Sequence, residues 1–130
     1  MCFDTSFLVD LLRGIPSAQK KLEYFLGRDE RLTTTPLSAA ELFEGAYSPR
    51  RKKGDLEEVK GILEHLEQLE LSLEVCENYG RIINDLRSRG SPIGDVDTLI
   101  ASAAMAHRQI LLTRNKAHSE KVPGLVVESW

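Results

Sequence analysis

Apolar residues fall in short bursts separated by β-branched stretches at some places and at helical spacing in others. Phe3-Asp4 ends a short opening strand, and Thr5 or Ser6 can cap a helix through Leu8, Leu11 and Leu12 that stops near Gly14. Pro16 suits the first turn of a second helix, which carries Leu22 and Phe25 and ends at Gly27. Arg31-Leu32-Thr33-Thr34-Thr35 is β-branched and strand-like. Pro36 opens a helix with Leu37, Leu42, Phe43 and Ala46, which ends before Ser48-Pro49.

From 55 to 69 the residues Leu56, Val59, Ile62, Leu63, Leu66 and Leu69 recur at helical spacing, so one helix is predicted over the whole stretch. Ser72 caps the next helix, with Cys76, Tyr79, Ile83 and Leu86 on its buried face. Gly90-Ser91-Pro92-Ile93-Gly94 breaks the pattern, and Val96 to Met105 reads as an almost wholly buried helix. Residues 110–113 and 125–127 are predicted short strands around the turn at Pro123-Gly124. Strands alternating with helices imply an α/β fold, a parallel sheet covered on both faces. Ligands of such sheets bind beyond the carboxyl ends of the strands.

Four polar side chains stand near such ends. Asp4 closes the first strand, Glu41 follows the threonine strand by two helical turns, and Asn115 lies just past the strand ending at Thr113. Asp97 begins a helix that the fold would have to bring alongside. Three converging carboxylates suit Mg²⁺ or Mn²⁺, hard cations that prefer oxygen, and such an ion can activate water against a phosphodiester. Each acid also has a capping explanation. Ser38-Ala39-Ala40-Glu41 has capping-box spacing, Asp95 is a good N-cap, Asp97 in a first turn favours the helix dipole, and Asp4 can cap the helix after it. Capping explains each acid singly and does not explain the ordered set.

Composition narrows the class without choosing it. The 130 residues are most simply one domain, and 42% hydrophobic with 28% charged residues is ordinary globular composition. Cys2 and Cys76 form no disulfide framework or metal spacing and fit a reducing cytoplasm, with Cys76 expected in the core. No apolar run approaches the roughly 18 residues of a membrane span, and no secretory signal is seen, so a soluble cytoplasmic protein is expected. A net charge of −3 gives no global pull on nucleic acid. The basic run Arg50-Arg51-Lys52-Lys53 in the longest loop can hold a phosphate backbone locally, as can Arg13 and Arg114. His65, His107 and His118 lack zinc spacing, and no phosphate loop or nucleophile elbow is present.

In four blocks the chain resembles the PIN domain, most closely toxins of the VapC type. Phe3-Asp4-Thr5-Ser6-Phe7-Leu8-Val9-Asp10 resembles the first block, and Ser38-Ala39-Ala40-Glu41-Leu42-Phe43-Glu44-Gly45 the second. Gly94-Asp95-Val96-Asp97-Thr98-Leu99-Ile100-Ala101 resembles the third and most specific block, and Leu112-Thr113-Arg114-Asn115 with Val122-Pro123-Gly124-Leu125 the closing one. The resemblance implies a single PIN domain over residues 1–130, a Rossmann-like three-layer αβα sandwich around a parallel sheet of about five short strands. It implies an endoribonuclease with Asp4, Glu41 and Asp97 as catalytic residues, and Asp4 and Asp97 as ligands of Mg²⁺ or Mn²⁺. Ser6, Asp95, Thr113 and Asn115 would support them, with Asp95 a cap or an outer neighbour. Asn115 departs from the further aspartate of many members, which lowers the negative charge of the site and leaves one or two ions open. Implied partners are an RNA substrate, a cognate VapB-type antitoxin and a second copy of the chain in a homodimer. Housekeeping RNA processing or an inactive PIN adaptor are the alternatives within the family. A phosphorylation-responsive receiver fits poorly, because Asp55 opens a helix instead of ending a strand.

Overall fold

The computed structural model describes residues 1–130. In chain order the elements are β1 Cys2–Phe3, α1 Thr5–Leu12, α2 Pro16–Leu26, β2 Thr33–Thr34, α3 Pro36–Ala46, α4 Asp55–Glu64, β3 Glu67–Gln68, α5 Leu73–Ser88, α6 Asp95–Ala106, β4 Leu111–Leu112, α7 Lys116–Ser119 and β5 Val127–Glu128. The strands form one parallel sheet in the order β3-β2-β1-β4-β5. β1 lies at its centre, so the residue that follows β1 emerges in the middle of the sheet edge.

Strands two residues long are enough to build three layers, because neighbouring side chains point to opposite faces. Phe3 and Leu112 face a core shared with Phe7, Leu8, Phe25, Leu42 and Val59. Cys2 and Leu111 face the other way, onto Ile100 and Ala104 of α6. There α6 runs buried from Ile100 to Ala104, and α5 packs against it through Ile82 and Leu86 on Ala101, with Ile93 from the segment before α6 in the same cluster. Phe3 meets Phe7 edge-on at 4.6 Å between ring centroids and Phe25 at 5.9 Å, an arrangement that adds about 0.5–1.5 kcal/mol per pair beyond burial. The buried hydroxyls of β2 are satisfied by β1: Thr33 Oγ1 donates to Met1 O at 3.0 Å and Thr34 Oγ1 to Phe3 O at 2.8 Å. This is the three-layer α/β sandwich around five short parallel strands that the sequence resemblance implied.

Three local expectations are corrected. The helix from 55 stops at Glu64, and residues 67–68 add a strand to β2, with Glu67 N donating to Leu32 O at 3.1 Å and Leu69 N to Thr34 O at 2.8 Å. Leu66 and Leu69 are buried at a spacing of three, which mimics helix, and the strand between them is two exposed polar residues with no β signature. Cys76 is exposed, not core: the buried face of α5 keeps the expected Ile83 and Leu86 but takes Val75 and Ile82 in place of Cys76 and Tyr79. Of the three cap candidates for α1 that the sequence offered, the structure uses Asp4 and not Thr5 or Ser6.

Candidate active site

Asp4 leaves β1 in an extended conformation, φ −81° and ψ 174°, and its Oδ1 accepts from Phe7 N at 3.0 Å as the N-cap of α1. The same oxygen accepts from Ser6 Oγ at 2.6 Å. Asp4 N donates to Leu112 O at 3.1 Å, which fixes the carboxylate against the end of β4. Thr35 after β2 caps α3, its Oγ1 accepting from Ser38 N at 3.2 Å. The capping box expected at Ser38 and Glu41 is therefore absent, because α3 begins two residues earlier at Pro36. Glu41 instead accepts from Thr5 Oγ1 at 2.8 Å, across the gap between α3 and α1.

Asp97 lies in the first turn of α6, whose N-cap is Gly94 at φ +98°, a backbone position that favours glycine. Asp4, Glu41 and Asp97 line one cavity of about 360 Å³ with Ser6, Thr113 and Asn115. Four of its fifteen lining residues are hydrophobic, so its lining suits a charged ligand better than an apolar one. Arg13 and Arg114 stand on its wall. So does His118, a residue the sequence reading set aside for lack of zinc spacing; it sits three positions past Asn115 on α7. Asp95 does not line the cavity. Two residues is about 200° around a helix, and Asp95 points outward, 72% exposed and 3.5 Å from Arg87 Nη2.

The basic loop divides. Arg50, Lys52 and Lys53 line a groove of about 640 Å³ that shares Val9, Arg13 and Glu41 with the first cavity. Arg51 lies outside the groove, and its Nη1 donates to Ser48 O at 3.2 Å.

The electrostatics are those of crowded, unneutralised acids. Burial pushes the Asp4 carboxyl up, against hydrogen bonds from Ser6, Thr113 and the Phe7 backbone that pull it down. Asp97 is also pushed up, by burial first and then by the negative charges of Asp4 and Glu41, with His118 opposing. None of the three acids has an ion-pair partner. Arg114, which could supply one, is held by Asp10.

This donor set fits a hard divalent cation: the available atoms are oxygens, and like charges raise the cost of leaving them unneutralised. No three His, Cys, Asp or Glu side chains form a ready-made cage. Mg²⁺ tolerates this, since it commonly keeps several waters and takes one or two carboxylates.

A five-stranded parallel sheet with converging acids beyond the end of its central strand defines a class, and comparison with known proteins names it. The PIN domain model matches residues 1–122, and the chain belongs to the PIN-domain family. Ribonuclease VapC1 of Haemophilus influenzae is 25% identical over 127 residues, covering 98% of this chain and 95% of that protein. The tRNA(fMet)-specific endonuclease VapC of Salmonella typhimurium is 27% identical over 128 residues, covering 95% and 97%. Among solved structures, VapBC2 of Rickettsia felis bound to a promoter DNA fragment superposes with a TM-score of 0.90 at 26% identity, covering 99% of this chain and 97% of that one.

Proposed function

We propose that the chain is a metal-dependent endoribonuclease of the VapC type, the toxin of a toxin–antitoxin pair. The observation that carries this reading is the set of three carboxylates, from the end of β1, from α3 and from the start of α6, that face one cavity with no cation paired to them. The relatives named ribonuclease and tRNA(fMet)-specific endonuclease support it, and the likeness to a VapBC complex supports a VapB-type antitoxin as partner. The same reading places the protein in the cytoplasm as a homodimer. No helix is long and apolar enough to cross a membrane.

In this mechanism Asp4 and Asp97 would hold Mg²⁺ or Mn²⁺. The bound ion supplies Lewis-acid stabilisation of charge on the phosphate and makes an attacking water more acidic. Glu41, aimed by the Thr5 hydroxyl, orients that water and takes its proton. Ser6 donates to Asp4 and accepts from Arg114 N, so it holds Asp4 against the turn after β4. Asn115 and Thr113 border the scissile phosphate without adding charge. Arg13, with Arg50, Lys52 and Lys53 along the adjoining groove, holds the RNA backbone.

The test is cleavage of total RNA and tRNA by the purified chain, with ends mapped by sequencing. Cleavage should vanish in EDTA and return with Mg²⁺ or Mn²⁺ but not with Ca²⁺, whose longer bonds and looser geometry position water poorly. Undiminished cleavage in chelator, or none with either ion, overturns the proposal.

A further inference from the structure

Helix α1 carries one acid in an otherwise apolar stretch, and none of the chemistry above uses it. Asp10 is 7% exposed, and a carboxylate in such a place is costly unless its oxygens are engaged. Both are. Oδ1 accepts from Arg114 Nη2, and Oδ2 accepts from Trp130 Nε1 at 3.2 Å. The Trp130 ring rests edge-on against Phe7 at 4.8 Å, which fixes the indole N–H toward Asp10. Asp10 does not line the acidic cavity, whereas Arg114 and Asn115 do.

The spacing of Ser6 and Asp10 gives this arrangement a purpose. They are four residues apart on α1 and so lie on one face, one turn above the other. Both take hold of Arg114: Ser6 Oγ accepts from its backbone N–H at 3.1 Å, and Asp10 takes its guanidinium. The Ser6 hydroxyl in turn donates to Asp4 Oδ1 at 2.6 Å. A continuous chain of hydrogen bonds thus runs from Trp130 through Asp10, Arg114 and Ser6 to Asp4. On the far side of the turn, Asn115 N donates to Thr113 Oγ1 at 3.1 Å, so the segment from β4 into α7 is anchored at its middle residue.

We infer that Asp10 is a positioning residue that clamps Arg114 and thereby sets the β4–α7 turn, and with it Asn115 and Ser6, against Asp4. Pairing with Asp10 also engages the Arg114 guanidinium at the cavity wall, so that it is not paired with any of the three carboxylates. Asp10 never touches substrate; it acts through Arg114. The catalytic part of this inference rests on the proposed nuclease activity, and the clamp itself does not.

Asp10→Asn is nearly isosteric and keeps one acceptor oxygen, while Arg114→Gln removes the guanidinium of a side chain that is 56% exposed and leaves an amide that can still donate to Asp10. In metal-free, ¹⁵N-labelled protein, hydrogen exchange at the Arg114 amide, which donates to Ser6 Oγ, should quicken about tenfold in Asp10→Asn, because the turn that carries it loses the charge-assisted anchor on its side chain. In the cleavage assay kcat should fall about tenfold with KM changed less than about twofold, as for a small misplacement of a catalytic group. In an Arg114→Gln background, Asp10→Asn should cost no further kcat. Equal losses in both backgrounds would make Asp10 a general structural residue and overturn the inference. So would unchanged exchange at Arg114. If the unmutated chain cleaves no RNA while the exchange response persists, the nuclease reading fails and the clamp stands.

Discussion

Asp4 serves two purposes at one atom, and a pair of substitutions separates them. Its Oδ1 caps α1 through Phe7 N and accepts from Ser6, while its charge faces the cavity shared with Glu41 and Asp97. Asp4→Asn keeps an oxygen at that point, and asparagine caps as well as aspartate. Asp4→Ala removes the oxygen, which costs about 1 kcal/mol for the cap, with the freed Ser6 hydroxyl raising the total to about 1–2 kcal/mol. At this chain length that is a fall in Tm of about 4–8 °C. Asp4→Asn also removes a charge that burial disfavours, so its Tm at pH 7 without metal should equal or exceed that of the unmutated protein.

The sign of the pH dependence follows from the same burial. The folded-state pKa values of Asp4 and Asp97 are raised, so between the ordinary carboxylate value and the raised one the native state binds more protons than the unfolded state. Stability contributed by these groups is therefore fully present at low pH and lost as pH rises through that window. Asp4→Asn should flatten that decline. Melts in EDTA across pH 4 to 7, repeated with Mn²⁺, read all of this directly. Mn²⁺ should raise the Tm of the unmutated chain by mass action and leave Asp4→Asn nearly unmoved. Both variants should be inactive. An active Asp4→Asn would refute the metal role; an Asp4→Asn as destabilised as Asp4→Ala would refute the claim that cap and charge are separable.

Other substitutions extend the same logic. Asp97→Asn should abolish cleavage with little change in Tm, since losing a helix-dipole partner, about 0.3–1 kcal/mol, is offset by relief from Asp4 and Glu41; a large loss of stability with activity retained would return Asp97 to a capping role. Asn115→Ala should weaken cleavage far less than Asp4→Ala. Asn115→Asp should tighten Mn²⁺ binding or push a neighbouring carboxyl further up, and an Asn115→Ala as dead as Asp97→Asn would make Asn115 a direct ligand. Arg50→Glu or Lys52→Glu should raise KM for RNA and lower its log–log salt dependence by about 0.7 per lost phosphate contact; Arg51→Glu, outside the groove, should do neither.

What the sequence made legible was what depends on local pattern. Strand β1, the helices after Pro16 and Pro36, and the acids near helix starts all follow from apolar spacing, proline placement and caps. What it concealed depends on tertiary placement. β3 is two exposed polar residues made a strand only by its pairing with β2. Cys76 and Val75 are neighbours, and only packing against α6 decides which turns inward. Asp95 and Asp97 stand two residues apart, and the roughly half turn of helix between them sends Asp97 into the cavity and Asp95 to Arg87. Asp10 did leave a trace, as a lone carboxylate among Phe7, Leu8, Val9, Leu11 and Leu12, where a buried acid demands partners. Those partners, Arg114 and Trp130, lie more than a hundred residues away, beyond any local signal.

The acidity of the whole chain and its proposed polyanionic substrate are reconciled by geometry. A net charge of −3 would repel RNA if it were spread evenly, but field depends on where charge sits. Three of the acids are gathered into one small cavity, where a divalent ion can offset most of their charge, while Arg13, Arg50, Lys52 and Lys53 border the groove that opens from it. Asp10 spends its charge on Arg114 and Trp130, and Glu67 spends its own on Arg31 at the far edge of the sheet. On the proposed reading the cavity would repel a phosphate without metal and, with metal, accept one next to a basic track. Metal loading should therefore govern RNA binding as well as cleavage, so a catalytically idle divalent ion such as Ca²⁺, which takes the same oxygen ligands, should still strengthen RNA binding. Binding that is indifferent to every divalent ion would mean that RNA is held by the basic groove alone.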